Sequence, residues 1–180
     1  KCCKPVRMQE TVYTGHKKIH GIKAQSLILP NGIIGHFFGP VVCSRHDSYL
    51  LQCSGLVGIL RHISTTVLQT VIPFAAYGYP AYPLSTDLLK PFAGVLTPGM
   101  QDLNAKMSSG RITVEWGFGR VTANCPFVQH YSRLQVLKKG DVGVHKHIDN
   151  SVLLYNILTI LYGGLCPSYF ECRDGLTLGQ

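Results

Sequence analysis

The chain has 180 residues, enough for one domain of ordinary size that buries roughly two-thirds of its unfolded surface. Apolar residues make up 46% of the chain and charged residues 14%, which excludes a disordered tail and indicates a packed globular protein. Lys and Arg outnumber Asp and Glu by 17 to 9, and the resulting formal charge of +8 favours a polyanionic partner, nucleic acid first.

The first predicted element is a β-hairpin. Apolar and β-branched residues run from Ile19 to Leu29 and again from Ile33 to Phe38. Between these runs stands Pro30-Asn31-Gly32, and an Asn-Gly turn between two such runs is a strong hairpin signal. We therefore predict two antiparallel strands joined at this turn.

A helix is predicted next, followed by a buried strand. Asp47 and Ser48 precede spaced leucines, as capping residues do at the start of a helix. The run Val67–Ala76 is short and apolar, and it predicts a buried strand that ends in an aromatic-rich turn. Pro91–Pro98 is predicted to be a loop.

Two helices are predicted in the second half. The first covers Asp102–Val121, and the second covers Ser151–Leu161, where polar residues interrupt an apolar run. These elements give a mixed α/β order. The first of these helices is predicted to have a broad apolar side formed by Leu103, Met107, Ile112, Val114 and Phe118. The polar residues that interrupt the apolar run of the second helix are Tyr155, Asn156 and Thr159.

One domain over residues 1–165 and a C-terminal tail over residues 166–180 are predicted, because no repeat or low-complexity linker divides the chain. Seven cysteines form no CxxC pair, so we interpret them as reduced, mostly buried thiols. No apolar run is long enough to span a bilayer and no polybasic run is present, so we predict no membrane partner.

Four sequence blocks follow one another in a distinctive order, and together they resemble the Harbinger-type (PIF-family) DDE endonucleases, which are transposase-derived nucleases. The resemblance covers nearly the whole chain, although no single block is decisive. The blocks are Tyr13-Thr14-Gly15-His16-Lys17-Lys18-Ile19-His20; Leu29-Pro30-Asn31-Gly32 continuing to Gly39-Pro40 and Arg45-His46-Asp47-Ser48; Tyr77-Gly78-Tyr79-Pro80-Ala81-Tyr82-Pro83; and Asn104 followed by Met107 through Gly119.

This resemblance implies a ribonuclease H-like fold, in which a mixed sheet flanked by helices carries two aspartates and a later helix carries a glutamate. It also implies metal-dependent cleavage of DNA with Mg²⁺ or Mn²⁺. Two divalent ions need oxygen ligands that hold them a few Å apart, one to activate the attacking hydroxyl and one to stabilise the leaving oxygen. Loss of one carboxylate is therefore expected to cost an ion.

Carrying the family pattern onto this chain places the catalytic, metal-binding glutamate at Glu115. The second aspartate is expected in a Gly-Asp-x-x-Tyr turn, but the aligned turn places Tyr79 at that position. Thirty-five residues lie between Tyr79 and Glu115, a gap of the kind that DDE enzymes use. The first aspartate is expected upstream of Lys1, so the first catalytic strand is expected to be truncated at the N-terminus.

Asp47 is a further carboxylate with two open interpretations. It either caps the helix that follows, or it supports the metal site as a ligand with His46 beside it. Basic residues are expected to contact DNA phosphates, namely Lys17, Lys18, Lys23 and Arg111. Arg111 also stands four residues before Glu115, a spacing at which the two could pair on a helix.

The sequence therefore predicts a transposase-derived DDE endonuclease domain that is degenerate and inactive. Two alternatives stay open: a domesticated, non-catalytic DNA- or protein-binding module, and a still-active nuclease completed by an upstream segment. The resemblance also implies a Myb-like DNA-binding partner protein, and the lack of a visible helix-turn-helix pattern in this sequence agrees with that expectation. Nuclear localisation is expected, or a cytoplasmic one before import by that partner.

Overall fold

The computed structural model describes residues 1–5, 7–15, 18–67, 74–129, 143–164 and 170. Within these residues the chain forms six short strands and five α-helices, which confirms the predicted mixed α/β composition. The chain divides into two compact units: the first comprises Lys1–His46 with Val114–Gln180, and the second comprises Asp47–Thr113. The predicted boundary between domain and tail, at residues 165 and 166, lies outside the described residues.

The first unit contains the predicted hairpin. Strand β1 (Tyr13–Thr14) pairs with β2 (Ile19–His20), and β3 (Ile22–Ile28) pairs with β4 (Ile34–Val42), both antiparallel. A short 3₁₀ turn, Gln9–Val12, precedes β1. The turn between β3 and β4 is local in origin, because Gly32 has a φ of 86° and Asn31 Oδ1 accepts a hydrogen bond from the Ile33 backbone at 3.1 Å.

Helices cover the hairpin of the first unit. They are α4 (Pro126–Gln129), α5 (Val144–Tyr162) and the C-terminal part of a long helix, α3 (Pro98–Asn124). The predicted last helix is confirmed, and it begins seven residues earlier than Ser151, at Val144. Its core contacts join Ile34, Val121, Val152 and Tyr155 into one buried cluster.

Polar side chains of α5 attach this helix to the hairpin. Tyr155 Oη donates a hydrogen bond to the Gly32 carbonyl at 2.8 Å. Asn156 binds both backbone groups of Ile34: its Nδ2 donates to the carbonyl oxygen at 3.0 Å and its Oδ1 accepts from the amide at 2.9 Å. Two of the residues that interrupt the apolar run, Tyr155 and Asn156, therefore satisfy backbone groups in the β3–β4 turn and at the start of β4.

The second unit begins with two helices, α1 (Asp47–Ser54) and α2 (Leu56–His62), which are separated at Gly55 with a φ of 69°. A π-helical turn, Ile63–Val67, extends α2. Strands β5 (Ala76–Tyr77) and β6 (Leu88–Leu89) pair in parallel, and α3 begins at Pro98. The prediction of a strand from Val67 is wrong at its start, since Val67 ends the π-helical turn, and residues 68–73 lie outside the described chain.

The predicted apolar side of α3 is only partly correct. Leu103 and Ile112 are 47% and 40% exposed. The buried positions are instead Thr113, Gly117 and Val121, a narrow line with a spacing of four residues. A small residue is needed at Gly117, because a Cβ there would collide with the side chain of Ile28. A search for spaced large apolar residues could not predict this line, because two of its three members are Thr113 and Gly117.

Five described cysteines form no disulfide bond, and the prediction that most are buried is wrong. Cys2 is buried and Cys53 is exposed, while the others are half-buried. Burial raises the pKa of the Cys2 thiol, the nearby N-terminal ammonium group lowers it, and the neighbouring thiols of Cys43 and Cys3 raise it further. Cys166 and Cys172 lie outside the described residues. Within the described chain, no helix is both long and apolar enough to cross a membrane.

Candidate nucleic-acid and metal site

The turn after β5 positions Tyr79 in the second unit. Gly78 donates its amide to the Leu89 carbonyl at 2.8 Å, which extends the pairing of β5 with β6 by one residue. The Tyr82 amide then donates to the Tyr79 carbonyl at 3.0 Å and closes a turn. A Cβ at Gly78 would lie 2.8 Å from Tyr82 Cδ2, so glycine allows this ring to pack against the turn. Tyr79 therefore lies just beyond the carboxyl end of β5.

Arg111 lies over the ring of Tyr79. The guanidinium carbon is 4.1 Å from the ring centroid, which is the geometry of a cation–π contact. Tyr79 is 42% exposed, whereas Arg111 is half-buried. Its Nε and Nη1 atoms are buried and have no hydrogen-bond acceptor among the described residues. The second unit thus holds a positive charge directly above the aromatic side chain at the end of β5.

Asp47 and Tyr82 lie close enough to influence each other electrostatically. The pKa of the Tyr82 phenol is raised from 10.0 to about 12, chiefly by burial and to a smaller extent by the acidic groups of Asp47 and Tyr79. Asp47 itself stands in the first turn of α1, where a negative charge interacts favourably with the helix dipole. The start of α1 at Asp47 agrees with the predicted helix, and the choice between a capping and a metal-supporting role stays a prediction.

Glu115 lies on α3 with an exposed side chain, and it belongs to the first unit. Its pairing with Arg111 and its role as a metal ligand stay predictions. Within the described residues, no group of three His, Cys, Asp or Glu side chains is arranged so that it could hold a metal ion.

The donors around Tyr79 do not fit a divalent cation. A neutral phenol is a poor ligand for Mg²⁺, which prefers carboxylates and water, and a free tyrosine ionises only near pH 10. An ion at the Tyr79 oxygen would lie roughly 6 Å from the Arg111 guanidinium, where repulsion costs about 5 kcal/mol at an effective dielectric constant of about 20. The local chemistry therefore opposes metal binding at this position.

The other basic residues predicted to contact DNA lie in the first unit. Lys18 is exposed and has a φ of 50°, and Lys23 is half-buried in β3, where it pairs with Val41. Lys17 lies outside the described residues. The structure thus presents Lys18 to solvent as a phosphate contact requires.

Sequence reasoning missed an ion pair that organises the second unit. Arg61 Nε donates to Asp87 Oδ2 at 2.8 Å, and its Nη2 lies 2.8 Å from the same oxygen. The Asp87 side chain is only 3% exposed, and its backbone carbonyl accepts from Ala76 beside β5. The sequence signal for this ion pair was Asp87 directly before Leu88 and Leu89. An acidic residue before two apolar residues is too common a pattern to predict an ion pair.

Comparison with known families identifies the chain. The family model described as DDE superfamily endonuclease matches residues 1–159, a range that includes Tyr79, Arg111 and Glu115. No curated protein and no solved structure gives a significant match. Members of this family are nucleases that act on DNA, and the family implies a divalent metal. The matched range covers most of the 180 residues. The chain therefore belongs to the DDE superfamily endonucleases.

Proposed function

We propose that this chain is a DDE endonuclease relative that has lost phosphodiester cleavage and keeps the ability to bind DNA. The observation that carries the proposal is the Arg111 guanidinium at 4.1 Å from the Tyr79 ring. In the sequence resemblance, Tyr79 stands where the second metal-binding aspartate is expected. A fixed side-chain cation and a phenol thus take the place of a carboxylate and a metal ion.

DNA binding is supported by charge and by the placement of single residues. The formal charge of +8 favours phosphate contacts without sequence preference. Lys18 is exposed, and Lys23 and Arg111 are half-buried. We propose that these residues contact the DNA backbone.

The finer family assignment is part of this proposal. The four sequence blocks support a Harbinger-type subfamily with a ribonuclease H-like fold, and the β3–β4 hairpin followed by helices and a parallel strand pair is compatible with that fold. A Myb-like partner protein would then supply sequence-specific DNA recognition and nuclear import. Nuclear localisation follows from this partnership.

A metal-dependent nuclease completed by an upstream segment is the second candidate function. Exposed Glu115 on α3 favours it, because this carboxylate is the residue expected to bind metal and it is accessible to solvent. If Mg²⁺ or Mn²⁺ were bound there, it would activate the attacking hydroxyl and stabilise the leaving oxygen.

A plasmid-nicking assay separates the two candidates. Supercoiled plasmid is incubated with the chain in Mg²⁺ or Mn²⁺, and with a Glu115→Ala variant as a control for contaminating nuclease. We expect no nicking above that of the variant. Metal-dependent nicking by the natural chain that disappears in Glu115→Ala would overturn the proposal and establish the second candidate.

A salt titration of DNA binding tests the proposed contacts. Fluorescence anisotropy should detect binding at low salt that weakens steeply as salt rises, and Lys18→Ala should reduce the slope of log K against log[salt] by about 0.9. Lys106→Ala is the matched control. It removes the same charge, but Lys106 already pairs with Asp102 at 2.8 Å. Equal losses in both variants would show that net charge alone, and not a Lys18 contact, accounts for binding.

A further inference from the structure

The parallel strands β5 and β6 of the second unit are each followed by an aromatic ring that is open to solvent. Tyr79 follows β5 by two residues and is 42% exposed, and Phe92 follows β6 by three residues and is 46% exposed. The Gly78 amide donates to the Leu89 carbonyl, so the two strands end level with each other. Both rings therefore lie beyond the carboxyl ends of these strands, which is the edge at which ligands bind in parallel α/β sheets.

Helix α3 fixes the loop that carries Phe92. Asn104 Nδ2 donates to the Phe92 carbonyl oxygen at 3.0 Å, and Asn104 Oδ1 accepts from the Phe92 amide at 2.9 Å. One side chain thus binds both backbone polar groups of this loop residue, while the ring stays exposed. Because the backbone is already held in place, a ligand that binds the ring has little loop entropy to remove.

The same face of α3 supports the ring of Tyr79. Arg111 stands seven residues after Asn104, close to two helical turns, so the two side chains leave one face of the helix about 10 Å apart along its axis. The Arg111 guanidinium covers one face of the Tyr79 ring at 4.1 Å. Its Nε and Nη1 atoms are buried, so it lies on the protein side of the ring, and the exposed surface of Tyr79 belongs to the other side.

We propose that this edge of the second unit binds unpaired bases of single-stranded DNA, one stacked on Tyr79 and one on Phe92. The inference rests on the DNA binding proposed above and names the form of DNA that this site takes. In a duplex the bases are stacked on one another, so a protein reaches phosphates and base edges but not base faces. An exposed ring therefore adds affinity where bases are unpaired, and stacking on aromatic side chains is how proteins hold single strands.

Cations beside the rings fit the phosphates of the same strand. Arg111 places a positive charge next to Tyr79, and Lys90 directly follows β6, two residues before Phe92. Single-strand sites combine a positively charged path with aromatic rings in this way. The apolar surface of a protein partner would cover these cations without providing an anion, which costs free energy, whereas a DNA strand brings a phosphate with every base. Charge therefore favours the strand as the occupant.

Fluorescence anisotropy in EDTA tests the site with a labelled single strand of about 20 nucleotides, longer than the roughly 4–16 that such sites cover, and a duplex of the same sequence. Tyr79→Leu and Phe92→Leu should each weaken single-strand binding about tenfold, as expected for the loss of one stacked base. Duplex affinity should change less than about twofold, because a duplex offers no base face to the rings. Phe74→Leu is the matched control, since its ring is 48% exposed but precedes β5, at the opposite end of the strand.

The salt dependence of binding separates stacking from charge. Tyr79→Leu should leave the slope of log K against log[salt] unchanged, whereas Lys90→Ala should reduce it by about 0.7, the value for one phosphate contact on a single strand. Circular dichroism and retained duplex binding identify the variants that are folded. Both rings are at least 42% exposed, so folding is expected to survive, and Phe92→Leu decides the test if Tyr79→Leu unfolds.

The outcomes distinguish this inference from the proposed function. Unchanged single-strand affinity in the folded ring variants, which is also the result if these rings bind a protein, would overturn the stacking site and leave DNA binding standing. An equal loss in Phe74→Leu, an equal loss for strand and duplex, or unfolding of both ring variants would overturn the site as well. Absence of binding to both the strand and the duplex would instead overturn the proposed DNA binding, and the stacking site with it.

Discussion

Replacement of Arg111 by Met is predicted to stabilise the chain. Arg111 Nε and Nη1 are buried and have no acceptor among the described residues, and each such donor costs about 1–3 kcal/mol. The cation–π contact with Tyr79 returns about 0.5–2 kcal/mol. Met keeps the length and apolar contacts of the stem and removes the donors. The cost of the two unpaired donors exceeds the gain from the cation–π contact, so the free energy of unfolding should rise. We expect a rise of about 1–2 kcal/mol, at the low end of that excess, because Arg111 is only half-buried.

Arg61→Met is the matched control in the same unit, and it should act in the opposite direction. Arg61 neutralises Asp87, whose side chain is 3% exposed, through contacts of 2.8 Å. Removing this arginine leaves a buried carboxylate whose remaining side-chain partner among the described residues is the Thr86 hydroxyl at 3.2 Å. Loss of one partner of a buried pair costs about 3–5 kcal/mol, and water at the exposed Arg61 end should reduce the loss to about 2–3 kcal/mol.

Urea unfolding monitored by circular dichroism measures both variants, and DNA anisotropy is measured on the same samples. We expect Arg111→Met to be more stable and to bind DNA more weakly, which is the pattern of a residue kept for function at a cost in stability. A loss of stability in Arg111→Met as large as in Arg61→Met would refute the reasoning, since it would mean that the Arg111 guanidinium is satisfied in solution.

Three further outcomes are expected. Asn156→Ala should lower the free energy of unfolding by about 2–4 kcal/mol, because two backbone groups lose their partner, while Asn150→Ala on the exposed side of α5 should change it by less than about 0.5 kcal/mol in the same urea titration. The pKa of Tyr82 is raised from 10.0 to about 12, so the folded chain holds this proton more tightly. Its contribution to stability is fully present below pH 10 and falls between pH 10 and about 12, and Tyr82→Phe should remove that fall in unfolding curves recorded against pH. Gly78→Ala should cost about 1–3 kcal/mol because its Cβ would lie 2.8 Å from the Tyr82 ring, whereas Gly119→Ala, with no atom within 4 Å on an exposed helix face, should add up to about 1 kcal/mol by thermal unfolding.

Elements specified by neighbouring residues could be predicted from the sequence. The β3–β4 hairpin depends on a turn whose glycine has a positive φ and whose asparagine binds the next backbone amide, all within a few residues. The start of α1 at Asp47 could likewise be predicted locally, because an acidic residue in the first turn of a helix interacts favourably with the helix dipole. The buried line of α3 could not be predicted, because the need for a small residue at Gly117 comes from Ile28, far away in the sequence.

The same distinction holds for the candidate site. The sequence by itself determined the family, through motif order over residues 1–159, and it predicted Tyr79, Arg111 and Glu115 as candidate site residues. Only the tertiary structure decided that the Arg111 guanidinium lies over the Tyr79 ring, and that Asp47 influences Tyr82. Motifs reflect backbone conformation and chemistry along the chain, whereas a cation above an aromatic ring depends on how a helix packs beside a distant strand. Electrostatic repulsion of a metal ion is a property of that packing, and no spacing along the sequence encodes it.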